Sequence, residues 1–242
     1  MYILDFDGDI EASAVVSLRE QISAVLQVAG SNDHVMLRLE SAGGLVHAYG
    51  LAASQLARLR AQSVRLVICV DKVAASGGYM MACVADELLA APFAIMGSVG
   101  VIGALPNFHD LLEKNAIHYE QHTAGKHKRS LTMFAENTDE DRAQFKHELA
   151  MTHDLFKDHI RAARPQLDVD SIATGETWYG TQAVENGLID GVRTSDDYIL
   201  AHLDSHNLLL IEDEVHESLF DKLKSRFLGK AMVQGPFKAH IQ

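Results

Sequence analysis

A serine set between an apolar strand and a helix, and followed by two glycines, is the residue of this sequence best placed for covalent chemistry. In Ala74-Ala75-Ser76-Gly77-Gly78-Tyr79 the Ser76 hydroxyl stands at an exposed turn, and the Gly77 N–H points to where an acyl oxyanion would form. Serine at such a place also caps helices, so the turn alone admits both roles. A second glycine turn, Glu40-Ser41-Ala42-Gly43-Gly44, likewise follows a strand-like segment. In an open α/β sheet, ligands gather at the carboxyl ends of strands, where main-chain N–H groups meet negative charge. Neither turn has the GxxxxGK[ST] of a phosphate loop or the GxGxxG of a dinucleotide site, so anion stabilisation there has to be of another kind, such as an oxyanion hole. Ala74 stands where a GxSxG elbow has its first glycine, and Tyr79 stands where an SxxK pair has its lysine. Both of those serine classes are therefore excluded.

A serine nucleophile needs a base that is neutral at working pH. His147, His153 and His159 recur every six residues and so share no helical face, and no HExxH occurs. Lys126 and Lys128 lie in Ala124-Gly125-Lys126-His127-Lys128-Arg129-Ser130, a run of the kind that is ordinarily a solvated loop. With a free pKa near 10.4, only about one lysine in two thousand is neutral at pH 7, so burial and a hydrogen bond would have to lower it. Cys69 and Cys83 sit inside apolar runs, with neither metal-ligand spacing nor a disulfide framework. They read as core residues.

The elements that must position these residues follow from composition and period. At 242 residues, 26.5 kDa and 48% hydrophobic, the chain suits one large α/β domain or two small ones, and disorder and collagen-like structure are excluded. Its net charge of −12 repels nucleic-acid phosphates and anionic membrane surfaces, so no nucleic-acid partner is expected. Residues 88 to 108 lack Asp, Glu, Lys and Arg and are long enough to span a bilayer. Pro92, Pro106 and their glycines instead predict a buried strand with turns. The N-terminus, Tyr2-Ile3-Leu4-Asp5-Phe6, alternates as a strand and does not read as a signal peptide.

Strands are expected at His34 to Leu39, Arg65 to Val70, Ile117 to His122 and Leu208 to Glu212, with a strand or turn at Leu188 to Val192. Helices are expected at Glu11 to Val28, Val46 to Arg60, after Ser76 to about Ala85, Phe108 to Asn115, Thr138 to about Ala163, Gln182 to Asn186, Asp196 to Leu203 and His216 to Phe227. The β-α alternation with short connections predicts a mainly parallel sheet covered by helices. One domain over 1–242 is expected, with a core over about 1–192 and a C-terminal stretch, 193–242, of no assigned role.

Four segments taken together resemble, in content and order, the signal peptide peptidase A and SohB family of Ser-Lys peptidases, the SohB branch more closely. They are Ser41-Ala42-Gly43-Gly44, Ala75-Ser76-Gly77-Gly78-Tyr79, Gly97-Ser98-Val99-Gly100-Val101-Ile102 and Gly125-Lys126-His127-Lys128. The resemblance implies an α/β, ClpP/crotonase-like spiral fold. It implies Ser76 as nucleophile, Lys128 as general base and Ser98 as the serine that orients the lysine. Oxyanion N–H groups would come from Gly77 and one glycine of the earlier pair, for which Gly44 is chosen.

The resemblance further implies peptide substrates, no metal or organic cofactor, and a homo-oligomer in which one subunit's lysine completes its neighbour's site. Members sit at the inner membrane, on its periplasmic face, through an anchor absent from the residues here. The turn departs from the family's Asn-Ser-Pro-Gly-Gly at Glu40 and Ala42 and keeps both glycines. Gly43, Leu45 and Val46 on one side, and Val99, Gly100, Val101 and Ile102 on the other, could pair with an extended apolar peptide as added strands. The competing readings are a crotonase-like acyl-CoA enzyme, which would need a carboxylate base that does not stand out near Ser76, and a non-catalytic ring-forming scaffold.

Overall fold

Strand segments whose alternate residues are all apolar need cover on both faces, and the structure supplies it. The computed structural model describes residues 1–125 and 128–212. Lys126, His127 and the helix expected over His216 to Phe227 lie outside the described residues. The first strands are β1 (Tyr2–Gly8), β2 (His34–Ser41) and β3 (Arg65–Val70), followed by β4 (Val73–Ala75), β5 (Glu87–Ala90) and β6 (Ile95–Gly97). Short strands β7 (Thr177–Tyr179), β8 (Gly191–Val192) and β9 (Leu209–Leu210) complete one sheet. Leu4, Phe6, Val35, Leu37, Leu39, Leu66, Ile68 and Val70 face a large core with helices α1 (Val15–Val28) and α2 (Val46–Ala61). Their alternates Ile3, Met36, Val67, Cys69 and Leu89 pack on the other face with Tyr198 of α8 (Ser195–Leu200). The period of two thus reads directly into two packed faces.

The pairing order is β7-β6-β4-β2-β3-β5-β8, with β1 beside β2 and β9 beside β1. Among the described residues every pairing is parallel except that of β6 with β7. This is the expected α/β, ClpP/crotonase-like arrangement of a mainly parallel sheet flanked by helices. Residues Met1–Ile211 form one compact unit, so the packed region extends beyond Val192. Ser195 Oγ donates to Asp71 (2.5 Å) and holds α8 to the end of β3, and Leu209 N donates to Met1 O (3.0 Å).

Several boundaries differ from expectation for identifiable reasons. Helix α1 begins at Val15 because the Asp9 carboxylate captures the N–H groups of Glu11 (3.1 Å) and Ser13 (2.8 Å) in a separate turn. The charge-free stretch 88–108 resolves into β5, β6 and loops, and no described helix is long and apolar enough to cross a membrane. No strand forms at Ile117 to His122. Ile117 and Tyr119 are exposed, and among the described residues no strand pairs with that segment to complete a ladder.

The remaining helices are α3 (Gly77–Ala82), α4 (His109–Lys114), α5 (Asp139–Ala163), α6 (Val169–Ile172) and α7 (Gly180–Glu185). In α5 Thr138 makes a capping box with Asp141, an N-terminal signature that fixes where the long polar helix starts.

Candidate active site

Register brings the glycine and serine turns together. Ser41, the last residue of β2, pairs with Ala74 of β4, and Ala75 pairs with Gly97, the last residue of β6. Three neighbouring parallel strands therefore end side by side, and Gly43, Ser76 and Ser98 lie one or two residues beyond those ends. Ser76 and Ser98 both have φ of +52°, a region that non-glycine residues enter at a cost of order 1–3 kcal/mol and that clusters at functional turns. Their neighbours hold them there. Ser76 N donates to Gly97 O (2.8 Å), and Ser98 N donates to Glu176 O (2.6 Å). Ser76 is half-buried, makes no side-chain cap bond to α3, and its hydroxyl has no hydrogen-bond partner among the described residues. The capping role that the sequence also allowed is therefore not taken.

The glycines around Ser76 are required by close approach. A Cβ on Gly43, whose φ is +91°, would lie 2.6 Å from Gly77 N and 2.8 Å from Ser76 Cβ. A Cβ on Gly44 would overlap the Ile10 carbonyl, and one on Gly77 would lie 2.7 Å from Tyr49 Cδ2. Gly43 N donates to Ser41 Oγ (3.1 Å). The N–H groups of Gly44 and Gly77 have no acceptor among the described residues. Two amides without an acceptor among the described residues thus flank the Ser76 turn, the provision an oxyanion requires. Helix α3 beneath Gly77 is wholly buried. Tyr79 Oη donates to Leu188 O (2.8 Å), and His159 Nε2 of α5 meets Met80 O (2.9 Å).

Lys128 is not brought to Ser76 within the described residues. Its N–H donates to Gly125 O (3.1 Å), and its side chain is exposed without a polar partner among the described residues. Leu45 and Val46, 43% and 42% exposed, border the first turn. In the second segment, Val99 turns its side chain into the core and its carbonyl accepts from Gly175 N (3.2 Å). Gly100 packs on Gly175, Val101 is half-buried, and Ile102 is 90% exposed. The exposed apolar side chain of that segment is therefore Ile102 and not Val99. Burial pushes the Cys69 and Cys83 thiols up to about 12, which removes both as nucleophiles.

Sequence reasoning gave no role to Tyr49 or Asp9 and singled out Ser41 only as part of its turn, whereas the structure links all three by hydrogen bonds beside Gly43 and Gly77. Tyr49 is one aromatic residue in an otherwise ordinary amphipathic helix, and nothing local shows that its ring underlies Gly77.

Comparison with known proteins gives the family. Residues 1–56 match the family model described as "Peptidase family S49 N-terminal", and residues 58–208 match "Peptidase family S49". A protein of Buchnera aphidicola subsp. Acyrthosiphon pisum named "Probable protease SohB" is 55% identical over 212 residues, 88% of this chain and 63% of that protein. Its namesake in Haemophilus influenzae is 51% identical over 222 residues, 92% of this chain and 63% of that protein. The chain thus spans less than two thirds of the length of these relatives. Two adjoining family models cover all but one residue of Met1 to Leu208, the Ser76 turn and its flanking glycines included, so the chain belongs to peptidase family S49.

Proposed function

We propose that this chain carries the active site of a serine endopeptidase that hydrolyses apolar peptides, such as cleaved signal peptides or membrane-associated polypeptides. Ser76 Oγ attacks the scissile carbonyl, Lys128 takes its proton, and the oxyanion rests on Gly44 N–H and Gly77 N–H. Lys128 then returns the proton to the leaving amine and activates the water that hydrolyses the acyl-enzyme. Ser98 orients the lysine. The observation that carries the reading is Ser76 held at positive φ beside two amides that have no acceptor among the described residues. Gly44 is favoured over Gly43 as the second donor because Gly43 N is already bonded to Ser41 Oγ.

Lys128 is exposed and has no polar partner among the described residues. The reading therefore includes a homo-oligomer in which a neighbouring subunit buries Lys128 and receives it at its own Ser76. In the longer proteins the site would act at the periplasmic face of the inner membrane. Leu45, Val46 and Ile102, apolar and exposed around the turns, favour aliphatic side chains next to the cleaved bond.

The test is hydrolysis of a chromogenic trialanine peptide by the purified chain. Turnover that disappears in Ser76→Ala supports the reading. Turnover that survives in a folded Ser76→Ala protein overturns it.

A further inference from the structure

Beneath the two glycine turns runs one directed chain of hydrogen bonds. Tyr49, fully buried in α2, donates its hydroxyl to Asp9 O (2.6 Å), which uses the only proton the phenol has. In the 2.5 Å contact between Tyr49 Oη and Ser41 Oγ the donor is therefore Ser41. With its proton committed to Tyr49, Ser41 Oγ leaves its 3.4 Å approach to Gly8 O unused and accepts the N–H of Gly43 (3.1 Å). Gly43 N–H, Ser41 O–H, Tyr49 O–H and the Asp9 carbonyl thus point one way, and each link polarises the next.

The same tyrosine forms the floor under Gly77, whose Cα leaves no room for a Cβ against the ring. One side chain touches the first oxyanion glycine through its ring and holds the loop of the second through its hydroxyl. The far end is anchored as well. Asp9 accepts from Ser13 Oγ (2.7 Å) in addition to the two N–H groups that tie its turn, and Leu45 N donates to Ile10 O (2.8 Å) just past Gly44.

We propose that Tyr49 and Ser41 are positioning residues for the oxyanion hole, setting the Gly43–Gly44 loop against Gly77 through the chain that ends on Asp9. This rests on the reading of Ser76 as nucleophile. Neither residue touches substrate. What they fix is where the Gly44 and Gly77 amides stand relative to each other, a quantity that matters in the tetrahedral state and little in the ground state.

Tyr49→Phe keeps the ring under Gly77 and deletes only the hydroxyl. With the trialanine peptide, kcat should fall about ten- to a hundredfold while KM stays within about threefold. Affinity for a trialanine aldehyde, whose tetrahedral adduct places an oxyanion on the amides, should fall in parallel with kcat. Ser41→Ala should act alike, and the double variant should be no worse than the poorer single one, because both break one chain. Unchanged kcat and aldehyde affinity, or a raised KM at unchanged kcat, overturns the proposal.

Hydrogen exchange of the Gly43 amide in ¹⁵N-glycine-labelled protein gives a readout that needs no activity. Exchange should quicken in Tyr49→Phe at a temperature well below unfolding, and unchanged exchange overturns the proposal. Should the wild-type chain neither turn over peptide nor take a serine-directed probe at Ser76, the peptidase reading has failed, and the glycine exchange alone decides whether the brace exists.

Discussion

Gly43 stands against the amide of Gly77, with room for no side chain between them: a Cβ there would lie 2.6 Å from Gly77 N, on a backbone with φ of +91°. Gly43→Ala must either strain its own backbone or push the turn away from Ser76. The expected result is a kcat loss of about a hundredfold or more and a stability loss of about 1–2 kcal/mol. Steady-state kinetics and urea unfolding measure the two.

Ser76 is strained by its positive φ irrespective of its chemistry. Ser76→Ala keeps that strain, whereas Ser76→Gly relieves it, so the glycine variant should be the more stable of two inactive proteins, by about 1 kcal/mol. Equal or reversed unfolding midpoints would show that the turn is relaxed.

The lysine prediction is a pair of substitutions and a mixing experiment. Lys128→Arg should be inactive because guanidinium stays charged, and Lys126→Ala should be mild. Ser76→Ala and Lys128→Ala chains, mixed under conditions of subunit exchange, should recover part of the activity. If native mass spectrometry shows exchange and no activity returns, the dyad is not shared between subunits.

Away from the site, His34 predicts an acid-sensitive fold. Burial foremost, then His206, the N-terminus, His202 and Arg65, lower its pKa from 6.5 to about 4. Its Nε2 is buried without a partner among the described residues, and its ring lies 4.8 Å from that of His206 and 5.6 Å from that of His202. The unfolded chain holds the proton more tightly than the folded one. The stability tied to neutral His34 is therefore fully present above about pH 6.5 and is lost as pH falls from there toward 4, to a total of about 2–3 kcal/mol. His34→Gln should flatten the change in urea midpoint between pH 7 and pH 4.5, and an unchanged slope would contradict the assignment.

The Ser76 turn was legible in sequence because its determinants are local: a strand, a small-residue turn and a buried helix in one run. The same holds for α5, whose start is written in Thr138 and Asp141. What escaped depends on distant neighbours. Tyr49 acquires its place only when α2 packs against Gly77 at the start of α3 and the Asp9 turn reaches its hydroxyl. The segment Ile117 to His122 has a strand's alternation and finds no neighbouring strand among the described residues. The short elements β7 and α6 were missed because three or four residues carry too little periodicity to register. Val99 reads in sequence only as one of the residues that could pair with an extended peptide; that its side chain lies in the core and its carbonyl accepts from Gly175 N depends on a residue 76 positions away.

The central claim is that Ser76 is a nucleophile served by the Gly44 and Gly77 amides, and the most direct measurement is peptide-level mass spectrometry of the chain after treatment with a fluorophosphonate. The account predicts a single phosphonyl adduct on Ser76, suppressed by prior incubation with the trialanine aldehyde and sharply slowed in Gly43→Ala. An adduct on another serine, or an unmodified Ser76 in a chain that turns over the trialanine peptide, would contradict it.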